Sequence, residues 1–464
     1  MSEGIGIQEI VNNGYCIGCG VCAAVKHSPY SIQMDQEGKY QANLDSDKTD
    51  NESIARVCPF ANEALNEDEI GKKLFGEHRG IHHDAYLGYH LKNFAGGVSE
   101  DTYREKGSSG GFGSWFAVTL LEEHLVDYVI HVRPINHSSS ILFAYTISTT
   151  KEEVREGAKS KYYPIELSNV LDVVRNTPGR YLLIGIPCFI KAVRLLAEQE
   201  PIFKERIVFT MGLVCGHLKT DRFAKTIGWE LGIHPDAIES IDFRVKIPET
   251  KANSYGVAVK GNGVEKEITS PMKDILVHNW GHGLFRYNAC DYCDDVLAET
   301  SDITIGDAWL PEYVKDGRGT NIIVVRNPVI LSLLEKHCNK LAIEEISAEK
   351  IYTSQAGGFR HRREGLSYRL YLKDLKKEWR PNKRVKPSNQ MSTRRKRIYE
   401  HRIPLASKAN EAYQDALSAN DFSIFKNNIE PELHRYNKLY HRPLLVRVVI
   451  RLLRYLRNMV DVRK

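Results

Sequence analysis

Cys16, Cys19 and Cys22 stand at C-x2-C-x2-C spacing in the run Cys16-Ile17-Gly18-Cys19-Gly20-Val21-Cys22, and no other feature limits so strongly what the start of this chain can fold around. Three thiolates at that interval wrap one iron–sulfur cubane, and Gly18 and Gly20 let backbone N–H groups approach its sulfides. A cubane needs a fourth ligand. Cys58, followed by Pro59, supplies it, because in two-cluster ferredoxins a cysteine before proline completes the cluster begun by a distant motif. Zinc is the competing reading, but zinc sites use paired C-x2-C knuckles, and a third cysteine at the same short interval favours a 4Fe-4S cluster.

The chain has nine cysteines, grouped rather than scattered. In a reducing compartment such groups are metal ligands more often than disulfides. After the first four, Cys188, Cys215, Cys290, Cys293 and Cys338 remain. Only Cys290 and Cys293 form a recognisable pair, which by itself suits zinc or thiol redox chemistry equally. The count favours a second four-cysteine site, with Cys338, at the end of the apolar helical stretch from Ile330, left to the core.

At 464 residues and 42% hydrophobic composition the chain can bury a large core and divide into several units. The fold class expected is α/β, in three parts. Residues 1–75 form a small ferredoxin-like iron–sulfur module with strand-like stretches at Ser31–Met34 and Lys39–Ala42. A polar connector with His78, His82 and His83 leads to a central α/β domain over 85–355. There Tyr181–Gly185 and Ile207–Met211 are short apolar runs of the kind buried in parallel sheets, with a helix predicted over Phe189–Gln199. This βαβ unit turns sharply at Gly185-Ile186-Pro187-Cys188, and its strand C-terminal edge, where such folds bind ligands, receives both Cys188 and Cys215.

Residues 360–464 read as a basic helical extension, crowded with Arg and Lys as in His361-Arg362-Arg363 and Arg394-Arg395-Lys396-Arg397, and broken at Pro381, Pro387 and Pro404. Over 443–460, Arg447, Arg451, Arg454 and Arg457 make one cationic stripe on an otherwise apolar helix. Such a helix is too short and too charged to span a bilayer. It suits peripheral contact with an anionic membrane face, or docking on the protein body or on a second subunit. The net charge of +5 is modest and gives no reason to expect a nucleic-acid partner. Met1 to Ile10 carries two glutamates and no apolar run, so a cytoplasmic location is expected, with contact at the inner membrane face as an option.

Taken in order, these motifs resemble the beta subunits of coenzyme F-420-reducing hydrogenase and dehydrogenase, a family that also includes 7-hydroxymethyl chlorophyll a reductase. The resemblance covers about residues 10–330. It rests on the Cys16–Cys22 run and Cys58-Pro59, Lys106-Gly107-Ser108-Ser109-Gly110-Gly111, Lys159-Ser160-Lys161-Tyr162 and Gly185-Ile186-Pro187-Cys188. Further on it includes Cys215-Gly216-His217, Phe243-Arg244-Val245-Lys246, Cys290-Asp291-Tyr292-Cys293 and Ser301 to Trp309. It implies FAD in the central domain and converts the second cysteine set into a second 4Fe-4S cluster. Ser108, Ser109, Gly110 and Gly111 look like the loop meeting the flavin diphosphate, which suits a Ser/Gly turn opening the apolar helix from Phe112. Ser160, Lys161, Tyr162, Lys246 and Asp307 look like further flavin contacts. Two motifs depart from the family pattern: Ile186-Pro187-Cys188-Phe189 replaces Thr-Pro-Cys-Gln, and Cys215-Gly216-His217 replaces Cys-His-Gly.

The expectation is an FAD- and 4Fe-4S-dependent oxidoreductase that exchanges electrons between a ferredoxin-like donor or partner redox subunit and a soluble small-molecule acceptor. Coenzyme F-420 or a substrate of surface-polysaccharide biosynthesis are the acceptors considered, and an oligomer is compatible with the sequence. Two other classes stand beside it: a non-catalytic electron-transfer subunit and a zinc-stabilised interaction module.

Overall fold

A computed structural model describes residues 5–135 and 141–440. The terminal helix expected over 443–460 lies outside them. At the centre is an eight-stranded mixed sheet in the spatial order Leu341–Glu345, Lys92–Val98, Asn321–Val325, Ile303–Asp307, Ile207–Leu213, Tyr181–Gly185, Tyr128–Pro134, Phe143–Ser148. Four neighbouring strands, from Ile303–Asp307 across to Tyr128–Pro134, run parallel, and every pairing outside them is antiparallel. The fold is therefore mixed α/β.

Strand alternation sends neighbouring side chains to opposite faces. Val129 and Leu182 pack with Phe112, Trp115, Phe116 and Ile330 on one face, while Ile130 and Leu183 pack with Phe189, Ile190 and Leu171 on the other. Helices thus cover both faces, which explains why Ile322, Ile323, Val324 and Val325 form an unbroken buried run. The predicted βαβ unit is present: Tyr181–Gly185, then the helix Pro187–Gln199, then Ile207–Leu213 paired in parallel with the first strand. Pro187 opens the helix at a position where its missing N–H has no partner to lose.

The N-terminal stretches pair as the antiparallel hairpin Tyr30–Met34 with Tyr40–Leu44. Ile10, Tyr15 and Ile17 belong to the same buried cluster as Phe189, Tyr287, Leu366 and Tyr413, so chain ends and centre share one core. The basic region folds as Ala356–Arg362, Glu364–Leu375, Thr393–Arg402, Leu405–Ala419 and Phe422–Lys438. Several of its arginines point inward: Arg362, Arg369 and Arg402 are buried.

Cys338, expected in the core, is exposed. The apolar helix ends at Lys336 after burying Ile330, Leu333 and Leu334, and Cys338 falls in the following 3-10 turn. Among the described residues no helix is long and apolar enough to cross a membrane.

Candidate functional site

The parallel strands end at Gly185, Leu213 and Asp307, which brings Cys188, Cys215 and the Asp307 carboxylate to one sheet edge. Two cavities are lined by cysteine, the second of them at this edge. Cys16, Cys19, Cys22 and Cys58 line the first, together with Ile7, Ile10 and Ile32. Cys188, Cys215, Cys290 and Cys293 line the second, with Phe60, Pro187, Leu218 and Arg362. Ile17 borders both. The eight cysteines expected as ligands therefore gather four and four, in the predicted partition.

Local geometry explains the first set. Gly18 has φ +62, and a Cβ there would lie 2.2 Å from the Tyr40 carbonyl oxygen, so the loop closes on the hairpin only with glycine at this position. Its N–H donates to Cys16 Sγ at 3.4 Å. At the second set the Leu218 N–H donates to Cys290 Sγ at 3.2 Å, and Arg362 donates to Cys293 Sγ at 2.8 Å and Cys215 Sγ at 3.7 Å.

Burial pushes all eight thiols upward, Cys58 and Cys290 to about 12. After burial, the charges of Cys19, Cys16 and Cys58 raise Cys22 further, and those of Cys293, Cys215 and Cys290 raise Cys188. Thiols packed like this ionise only around a cationic core. Among the described residues no three His, Cys, Asp or Glu side chains converge closely enough to hold a single metal ion. Four cysteines line each cavity, and a four-thiol donor set fits an iron–sulfur cubane.

The expected flavin residues meet around Arg244, at the end of the strand Ile238–Val245. Its guanidinium pairs with Asp307 at 3.1 and 3.3 Å, reaches the Tyr162 hydroxyl at 3.4 Å and donates to the Ser108 carbonyl at 3.2 Å. Burial works against its charge, but Asp307 and the phenols of Tyr162 and Tyr255 outweigh burial and hold it cationic. Its buried Nε has no partner. Ser108 Oγ accepts from the Ser160 N–H at 2.8 Å, and Lys246 Nζ donates to the carbonyls of Ser109 at 3.0 Å, Arg318 at 2.6 Å and Arg104. Ser109 Oγ donates to the Thr320 carbonyl at 2.9 Å, and the Gly110 carbonyl accepts from Val98. Gly111, at φ +79, is the N-cap of the helix Phe112–Glu122, and the first helical N–H, that of Phe112, donates to Asn321 Oδ1 at 3.2 Å. The orphaned guanidinium nitrogen of Arg244 fits the flavin diphosphate. Lys161 turns back on its own loop: its Nζ donates to the carbonyls of Gly157, Ala158 and Lys159, and burial pulls it down to about 7.

Three contributors do not stand out in the sequence. Arg244 lies in a motif whose Lys246 carries the stronger resemblance, and Arg362 lies in a basic run that reads as an appendage. Trp280 has no motif signal. Its ring lies 4.7 Å from that of Tyr162 and 4.6 Å from that of His217, beside Cys215, so it joins the flavin-motif residues to the second cysteine loop.

Comparison with known proteins decides the family. Residues 179–350 match the family model for the C terminus of the coenzyme F420 hydrogenase/dehydrogenase beta subunit, and residues 93–172 match the model for its N-terminal part. The chain belongs to this family. The matched segments hold the residues around Arg244 and the second cysteine set, while the first cysteine set and Arg362 lie outside them. One subunit of the F(420)H(2) dehydrogenase of Methanosarcina mazei is 21% identical over 338 residues, covering 70% of this chain and 82% of the relative. The coenzyme F420-dependent sulfite reductase of Methanocaldococcus jannaschii is 23% identical over 346 residues, covering 68% of this chain but only 45% of the relative. A solved chain of the F420-reducing [NiFe] hydrogenase complex from Methanosarcina barkeri aligns at 17% identity and a TM-score of 0.49, over 65% of this chain and 99% of that one.

Proposed function

We propose that this chain is an iron–sulfur flavoprotein oxidoreductase that exchanges electrons between a ferredoxin-like donor or partner redox subunit and a soluble acceptor. The supporting observation is the pair of four-thiol cavities, with Ile17 bordering both. Cys16, Cys19, Cys22 and Cys58 would hold one 4Fe-4S cluster, and Cys188, Cys215, Cys290 and Cys293 the other. Ser108, Ser109, Gly110, Gly111, Ser160, Tyr162, Lys246 and Arg244 would hold FAD, with Asp307 fixing Arg244; Lys161 joins them only if it leaves its carbonyls.

Bound FAD exchanges one or two electrons and a 4Fe-4S cluster exchanges one, so together they join hydride chemistry to single-electron steps. The chain's own contribution is placement. Ile7, Ile10, Ile17 and Ile32 keep water from the first cavity. Lys246 braces the Ser108–Gly111 loop through the Ser109 carbonyl, and Tyr162, Trp280 and His217 pack one behind another between flavin motif and second cavity.

Coenzyme F420 is the first acceptor to try, since both named relatives act with it. A second reading, an electron relay without a substrate pocket of its own, has one observation behind it: the Methanosarcina mazei relative is a subunit of a larger dehydrogenase. Iron, acid-labile sulfide, zinc and flavin content of chain purified without oxygen tests the proposal. About eight irons and one FAD per chain are expected. Zinc without flavin would overturn it, and reduction of added F420 by the isolated chain separates the enzyme from the relay.

A further inference from the structure

Arg362 ends the helix Ala356–Arg362 and forms part of the second cavity's wall, with 3% of its surface exposed. Nη1 donates to Cys293 Sγ at 2.8 Å and to the Asp295 carbonyl at 2.5 Å. Nη2 donates to the Gly216 carbonyl at 2.7 Å and reaches Cys215 Sγ at 3.7 Å. These partners are two sulfurs and two backbone oxygens. Some neighbouring cations meet carboxylates: Arg363 pairs with Glu299, Arg384 with Glu299, Glu67 and Asp294, and Lys191 with Glu67. Arg326 and Arg369, buried without one among the described residues, are held by carbonyl and hydroxyl oxygens, and of these three only Arg362 puts its fork on cysteine sulfur. Among the described residues Arg362 has no carboxylate within ion-pair distance.

A guanidinium does not lose its proton, so burial without a counter-anion is strongly unfavourable. Neutral thiols and carbonyls do not supply one. Four thiolates around a cubane do, because their charge exceeds that of the core they bind.

We propose that Arg362 is a positioning residue of the second cysteine site, providing the buried counter-charge and sulfur hydrogen bonds that hold a 4Fe-4S cluster there and make it easier to reduce. The proposal rests on the reading of that site as a cluster site. Reduction adds one electron and no proton, so the product carries one more negative charge beside a fixed cation, and hydrogen bonds to cluster sulfurs raise reduction potentials in the same sense. The fork geometry matters as well as the charge: it addresses two loops at once, Cys215-Gly216 and Cys293 to Asp295, where an ammonium is a single point.

The test is a redox titration of the full chain with dithionite, followed by electron paramagnetic resonance, on wild type, Arg362→Gln and Arg362→Lys. Cys188→Ser identifies which signal belongs to the second site. In Arg362→Gln the second signal's midpoint moves to more negative potential while the first stays, and Arg362→Lys falls between. Loss of about four irons from Arg362→Gln but not from Arg362→Lys also supports the counter-charge. Full iron with an unmoved midpoint in both variants would overturn it, as would equal loss of the second cluster from both, which marks a packing role alone. A wild-type chain with the first cluster only would remove the underlying cluster reading instead, and the proposal with it.

Discussion

Replacing Gly18 by alanine isolates the contribution of one backbone position to the first cysteine site. An L-residue in the left-handed region costs roughly 1–2 kcal/mol. The new methyl carbon would also stand 2.2 Å from the Tyr40 carbonyl oxygen and 2.6 Å from its carbon, where unstrained heavy atoms keep about 3.5–4.0 Å. Tyr40 has little room to retreat, because it pairs with Met34 in the hairpin and its N–H donates to the Tyr287 hydroxyl at 2.9 Å. The loop between Cys16 and Cys19 must therefore open. Gly80 supplies the control: its φ is +80, yet a Cβ there meets nothing within 4 Å, so Gly80→Ala carries the same left-handed cost without the collision. The assay is iron and acid-labile sulfide per chain after anaerobic purification, with flavin measured in the same sample. Gly18→Ala should retain about four irons and its FAD, and Gly80→Ala about eight. Equal iron in the two variants would refute the steric argument.

Arg244→Gln leaves the Asp307 carboxylate without its bidentate partner; a lost buried hydrogen-bond partner costs about 1–3 kcal/mol, so FAD should bind roughly ten- to hundred-fold more weakly, read by flavin fluorescence on titrating apoprotein. Burial draws Lys246 down to about 8 from its ordinary 10.5. FAD affinity should be full below that pH and fall as pH rises through it, with Lys246→Met flattening the profile. The folding linkage has the opposite sign: the cost of the buried ammonium is present below about 8 and is relieved as pH rises toward the unfolded lysine's value. Lys191→Met strands Glu67; the two side chains lie buried 3.1 Å apart, although Arg384 Nε remains 3.4 Å from the carboxylate. A loss of about 3 kcal/mol, the lower end for a broken buried pair, should appear as a lower urea midpoint, and an unchanged midpoint would contradict the pairing.

What the sequence made legible follows from how local each signal is. Cys16, Cys19 and Cys22 carry their own spacing, and the turn at Gly185–Cys188 lies between two apolar runs, so the grouping of these cysteines, the hairpin and the βαβ unit were readable without knowing what packs on them. The side on which a charge falls is not local. Arg362, Lys383 and Arg384 sit in a run whose composition matches a solvated surface, yet Arg362 donates to cysteine sulfur, Lys383 lies 4.3 Å from the Phe60 ring centroid, and Arg384 contacts Glu67, Asp294 and Glu299. A complementary signal was present in Cys290-Asp291-Tyr292-Cys293-Asp294-Asp295, whose three carboxylates are buried and need partners from elsewhere. Asp291 takes Arg286 and Arg402, and Asp294 takes Arg384. Acidic residues crowding a ligand pair, with basic residues crowding a segment remote in sequence, describe two halves of one buried network. The same reasoning makes the basic region part of the second cysteine cavity's wall: removing it would expose that cavity and strip the carboxylates around it of their partners.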